Sequence, residues 1–342
     1  MAYISFQPND YFNTKIYTGT GSSNALTGVG FQPDWTWIKR RNATASHAIQ
    51  DAVRGNDKSL RSNTTGAEYT NTFFSSFDTD GFTVTSSESD VNASAETYAS
   101  WNWKANGSGS SNTDGTTSST VSVNTTAGFS IVKWTGSGSA TTIGHGIGVT
   151  PKIIMLKNTS EVYGWQVYHA SLGNTKYLAL DSTDAEATSS ESWNNTSPTS
   201  TVFSVGASDS NNKSGNTIIA YCFAEKKGFS KFGSYVGNGS TWGTFVNCGF
   251  KPAWIMLKDT NSGSAGWMMF DNKRLGYNVD NNALYPNATA AEGTGDDVDL
   301  LSNGFKARST DAGINTSGNS YIYMCFAEEP IVSSNGVPAV AR

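Results

Sequence analysis

The sequence predicts an all-β chain organised as three tandem β-sandwich domains, and three observations lead there. A strand-forming phrase occurs three times, other phrases recur around it in the same order, and the composition favours short strands over helices. The phrase is Gly30-Phe31-Gln32-Pro33-Asp34-Trp35-Thr36-Trp37-Ile38-Lys39, and it returns altered at 148–157 and 249–258, again ending on Lys157 and Lys258. Each copy is a Gly/Pro turn followed by β-branched, aromatic and long apolar residues. Both parities are apolar, the mark of a strand covered on both faces, so each copy belongs in the middle of a sheet.

The companion phrases make this a repeat. An aromatic residue and a Gly-rich turn precede each copy, at Tyr17 to Gly21, Trp134 to Gly138 and Tyr235 to Gly239. A leucine leading to Ala-Glu follows, with Leu60 before Glu68, Leu180 before Glu186 and Leu284 before Glu292. Then come a phenylalanine among strand formers (Phe82, Phe203, Phe305) and a closing aromatic strand around Trp103, Phe223 and Phe326. Pro33, Pro151 and Pro252 lie about a hundred residues apart, the span of one small β-domain.

Taken in order, residues 1–14 read as an aromatic N-terminal arm that packs on its own domain or docks on a neighbour. The first sandwich spans 15–106, and 107–127 reads as a flexible Gly/Ser/Thr linker. The second spans 128–227, the third 228–330, and 331–342 is a C-terminal tail. Helical periodicity is at most short, within 34–55. Asp80-Gly81 and Asn303-Gly304 read as hairpin turns. Asp78-Thr79-Asp80-Gly81 opens like a calcium loop but lacks the later acidic ligands, so it too reads as a turn.

Bulk properties narrow the function. A net charge of −5 argues against a general nucleic-acid binder. The local basic cluster of Lys39, Arg40, Arg41, Arg54, Lys58 and Arg61 reads as a solvated rim or an interface with a neighbouring subunit. Cys222, Cys248 and Cys325 are too few for a disulfide framework and read as small core residues. No secretory signal or membrane span is visible, so neither export nor a membrane is expected.

Signatures for nucleotide, zinc or redox chemistry are missing from the sequence, and no catalytic residue, metal or cofactor is expected. His47, His145 and His169 have no ligand spacing. His47 and His169 both follow the recurring strand, one as a polar core residue and the other as its stand-in. Glu68, Glu186 and Glu292 recur in every unit, which suits equivalent internal ion pairs of Lys39 with Glu68, Lys157 with Glu186, and Lys258 with Glu292. Four aromatics outside the strand phrases, Trp193, Trp242, Tyr277 and Tyr285, are candidates for stacking on a sugar or receptor.

The phrase Gly-Phe-x-Pro-Asp-Trp-x-Trp-Ile-Lys-x-Arg, with His47, Asp51 and Val53-Arg54-Gly55 after it, resembles a repeat of virion structural proteins from tailed phages of marine bacteria. Residues 77–82 and Asn335-Gly336-Val337-Pro338 are similar too, whereas Leu172-Gly173 and Leu275-Gly276 stand where units two and three depart from Val-Arg-Gly. The resemblance implies concanavalin-like, jelly-roll sandwiches in a non-enzymatic tail-fibre or tail-appendage component, assembled in the host cytoplasm into a virion. Its implied partners are other virion proteins, further copies of itself, commonly as a trimer, and host surface glycans. Two alternatives stay open: a capsid decoration or head-fibre protein, and a polysaccharide depolymerase on the same scaffold, which would need two carboxylates facing one groove.

Overall fold

The computed structural model describes residues 7–274, 278, 282–295 and 297–328, with the backbone of 331–332 and 338–339. It is nearly all β, and every pairing between its named strands is antiparallel. The recurring phrase forms the expected strand each time, at Trp35–Arg40, Ile153–Asn158 and Pro252–Asp259. In each unit it lies between the closing strand, at Thr97–Trp103, Thr217–Phe223 or Ser320–Ala327, and the strand that follows the phrase, at His47–Asp51, Gln166–His169 or Met268–Asp271. An opening strand, Phe12–Thr18, Phe129–Thr135 or Ser230–Val236, pairs with the far edge of the closing strand. The short helix allowed within 34–55 does not form, because β-branched and aromatic residues there pair as strands.

Each large sheet is buried on both faces. The outer face packs on a small sheet of its own unit around Phe82, Phe203 or Phe305. The inner faces of all three meet in one hydrophobic core. At its centre Trp103, Phe223 and Phe326, equivalent positions in the closing strands, touch pairwise at centroid distances of 6.3, 5.9 and 5.7 Å, all near T-shaped. The repeats therefore close a ring about a pseudo-threefold axis, with the third against the first.

The repeated glycine of the opening turn is explained by close approach. A Cβ on Gly19, Gly136 or Gly237 would lie 2.2, 2.2 or 2.3 Å from the carbonyl oxygen of Ala93, Lys213 or Thr316. The same turn is held by an asparagine that the sequence reading missed. Asn92, Asn212 and Asn315 are fully buried, and each side-chain oxygen accepts the N–H of Thr20, Ser137 or Asn238.

Two expected boundaries change. Residues 107–127 are not a flexible linker: Ser110–Asn112 and Ser119–Asn124 pair and extend the second large sheet past its opening strand. Residues 107–120 are rich in Gly, Ser and Thr with no apolar anchor, but Val121 is buried in the second repeat's outer core and the Phe129–Thr135 edge supplies a template. Nor does the arm run to residue 14, because Phe12 already begins the opening strand. Its ring stacks on Phe326 of the third repeat at 5.0 Å, while Tyr11 meets Phe229.

Candidate functional site

Three equivalent seams join the repeats, and most of the recurring polar residues are used there. In each seam a backbone N–H of the recurring glutamate donates to the residue just beyond the neighbour's phrase strand: Glu68 to Thr159, Glu186 to Thr260 and Glu292 to Arg41, at 2.9, 2.9 and 2.7 Å. Next to it the buried phrase lysine of that neighbour donates back to a carbonyl three residues before the glutamate. Lys157 bonds Thr65, Lys258 bonds Thr183 and Lys39 bonds Thr289, at 2.9, 3.1 and 3.3 Å. Burial lowers all three lysines to about 8.

This corrects the expected pairs of Lys39 with Glu68, Lys157 with Glu186 and Lys258 with Glu292. The phrase strand points its lysine across a seam, so lysine and glutamate of one repeat belong to different seams. The carboxylates find other cations. Glu68 is held by Arg54 at 3.1 Å, Glu186 by Lys176, and Glu292 by Arg41 of the first repeat at 2.6 Å, with Arg274 at 3.6 Å. The basic cluster thus does face a neighbour at Arg41, and the neighbour is another repeat of the same chain.

A third seam bond comes from a ring N–H. Trp165 donates to Arg61 O and Trp267 to Ala179 O, at 3.0 and 2.8 Å, and in the first repeat His47 Nε2 lies 2.9 Å from Tyr285 O. Because His47 Nδ1 accepts the Trp37 indole N–H at 2.8 Å, its proton sits on Nε2. His47 therefore stands in for tryptophan and not for His169. The latter replaces an aspartate: it pairs with Ile153, as Asp51 pairs with Trp35 and Asp271 with Trp254. Desolvation pushes His47 down to about 3 and His169 to about 4. His145 is also lowered by burial, with Nδ1 accepting the Ile147 N–H.

The arginine of Val-Arg-Gly also survives in unit three. Arg274 Nε binds Asp271 at 2.7 Å just as Arg54 Nε binds Asp51 at 2.5 Å. Asp271-x-x-Arg274 was readable in the sequence but is masked by the changed residues around it. In unit two Leu172 takes this place, and a cavity of about 220 Å³ opens there between Lys176, Glu186, Ser234 and Asn261.

The candidate contact aromatics separate by burial. Trp193 is 1% exposed, packs on Tyr168 and donates to Lys176 O at 3.1 Å, so it is a core residue and not a contact; its short Ser190–Trp193 helix tucks the indole under the sheet. Tyr285 is half-buried against the third repeat's outer core. Tyr277 lies outside the described residues. Trp242 is 71% exposed, with Lys306 Nζ 3.4 Å from its ring centre and Arg308 Cζ at 5.5 Å. Phe245, also exposed, pairs with Lys306 across the small sheet.

Asp78, Asp80 and Asp299 are engaged locally. Asp80 accepts the N–H groups of Gly28 and Gly30 at 2.9 and 2.6 Å, Asp78 accepts from Ser76 and Thr83, and Asp299 pairs with Arg308. Among the described residues no cluster of three His, Cys, Asp or Glu side chains could hold a metal.

No curated protein matches the chain. A family model described as a domain of unknown function, DUF7483, matches residues 7–330, and so runs across all three repeats as one unit. The chain belongs to that family of uncharacterised function, DUF7483.

Proposed function

We propose that this is a non-enzymatic structural protein of a phage particle, a tail-fibre or tail-appendage component that holds contact loops in place against a host surface or a neighbouring virion protein. Each unit is read as a jelly-roll-like sandwich whose large sheet gives its inner face over to its neighbours. The observation that supports this is the closed ring. Lysines, glutamates and ring N–H groups that could serve chemistry are instead committed to backbone carbonyls and ion pairs at the seams. A body joined this way is stiff, and stiffness is what loops need in order to present a defined surface. The pseudo-threefold ring within one chain supports the reading that threefold form needs no trimer. Multivalent attachment then comes from many copies on one particle.

Antibody labelling of whole particles, with the mass in solution from light scattering, tests this. Label at the tail with a mass near 36.4 kDa is the expected result. Label spread over the head favours a decoration protein, and unlabelled particles overturn the virion reading.

A further inference from the structure

The repeats can be compared position by position, because the small-sheet registers match. Leu26 faces Phe82, Ile143 faces Phe203 and Val246 faces Phe305. On the outer side of that sheet, repeats one and two carry small or hydroxyl residues. Ala25 pairs with Thr83, and Thr142 with Ser204. In the third repeat the same pair is Phe245 with Lys306. The position two beyond is Thr85, Gly206 or Arg308, and the end of the opening strand is Thr18, Thr135 or Val236. Four residues lie between Gly21 and Leu26 and between Gly138 and Ile143, but six lie between Gly239 and Val246, and this longer turn carries Trp242. The shared scaffold is kept, and one face of one repeat has gained an indole, a phenyl ring and Lys306, with Arg308 beside them held by Asp299, the residue opposite Lys306 in the sheet.

We propose that this face binds an acidic polysaccharide. The inference rests on the surface-contact reading above and adds to it a ligand chemistry and a place. An exposed indole offers a flat apolar platform for the C–H face of a sugar ring. Ser240 and Thr241 on the same turn are exposed and offer hydroxyl partners. Lys306 makes no ion pair among the described residues and rests on the indole, a contact weak enough at an exposed site to be exchanged for a sugar carboxylate. On a chain of net charge −5 a local cation beside an aromatic selects an anionic ligand against the background field.

The fold supplies its own probe. Among the described residues Trp242 is 71% exposed while the other nine tryptophans are at most 3% exposed, so iodide quenching of fluorescence reports Trp242. The full chain is titrated with alginate, a polyuronate, with dextran as the neutral control and poly-glutamate as an acidic peptide control. Alginate protection against quenching, with dextran and poly-glutamate inactive, is the expected result. Calorimetry with Trp242→Ala should show about thirty-fold weaker alginate binding, the loss typical of an aromatic anchor. Lys306→Ala should lose about two- to five-fold and Lys306→Arg should recover it, as for an exposed charge pair. Alginate binding that survives Trp242→Ala, or no alginate binding at all, overturns the proposal. Binding of poly-glutamate in preference to alginate also overturns it, in favour of an acidic protein partner. Particle labelling is unaffected by either result, so failure here is distinguishable from failure of the virion reading.

Discussion

The hydroxyl of Tyr221 in the second repeat donates to the carboxylate of Asp51 in the first at 2.8 Å, both fully buried. One seam further round, the equivalent Trp101 donates its indole N–H to Asp271 at 2.9 Å. At the third seam the donor position is Met324, which has no N–H or O–H to offer, and His169 in the aspartate's place bonds the Tyr323 carbonyl at 3.3 Å instead. Donor and acceptor have changed together, so Asp51, Asp271 and His169 each keep a partner across their seam.

Tyr221→Phe removes that donor and leaves Asp51 to Arg54. Unfolding in urea should show a loss of about 1 to 2 kcal/mol, the cost of a hydrogen bond to a buried charged group. Met324→Leu at the equivalent place, where no hydrogen bond is lost, should change stability by less than about 1.5 kcal/mol. Equal effects of the two would show that the Tyr221 hydroxyl contributes nothing.

Acid should open the ring. Both nitrogens of His47 and of His169 are engaged, one donating to a carbonyl across a seam and the other accepting an N–H. Protonation would aim a second donor at the Trp37 or Ser171 N–H. The folded values lie at about 3 and about 4, below an unfolded value near 6.5, so the unfolded chain binds more protons between them. The contribution of these two histidines is complete above about pH 6.5 and is lost below it, by up to about 1.4 kcal/mol per pH unit for each histidine. His47→Gln keeps a donor and an acceptor without titrating, and its urea midpoint should fall less steeply between pH 6.5 and 4 than that of the native chain.

The phrase lysines act at the other end of the scale. Lys39, Lys157 and Lys258 are lowered to about 8 from 10.5, so above pH 8 the folded chain sheds protons that the unfolded chain keeps. Stability should rise from pH 8 toward 9, before the buried thiols Cys222 and Cys325 and the buried tyrosines Tyr17, Tyr221 and Tyr235, all raised by burial, together reverse the slope as their unfolded counterparts ionise. A flat or falling urea midpoint between pH 7.5 and 9 would count against this.

Removing the third repeat should unfold the rest. A chain of residues 1–227 loses Phe326 and Trp254 from around Phe12 and Trp103, and leaves Lys39 and His47 without Thr289 and Tyr285. We expect it to aggregate or to bind a hydrophobic dye strongly, whereas three independent domains would leave a folded two-domain product with a sharp thermal transition.

Cutting the closing seam by charge alone should cost less. Arg41→Ala leaves Glu292 with Arg274 and Asn282, and about 1 kcal/mol is expected for this half-buried pair. Proteolysis should then show faster cleavage near 282–292 without loss of the fold.

Strand existence and the threefold repeat were legible in the chain because they depend on local pattern. Apolar runs of both parities marked the phrase strands as central, and the recurring Gly after Tyr17, Trp134 and Tyr235 marked a turn. Trp242 stood out because it lies off the strand phrases. Trp193 satisfied the same test and is buried, since a short helix between strands turns it inward and no local signal carries that information.

By itself, then, the sequence determined that the recurring phrases are strands and that one unit recurs three times, since short-range periodicity and turn chemistry decide both, while the strands within 107–127 escaped it. Only the tertiary structure decided which partner each repeated residue meets. Lys39 and Glu68 recur together, yet ring closure sends them to opposite seams. Equivalent positions in different repeats, His47 with Trp165 or Asp51 with His169, are matched by sheet register and not by residue type. Spacing along a chain fixes the face a side chain takes, but the neighbour on that face depends on how whole sheets pack.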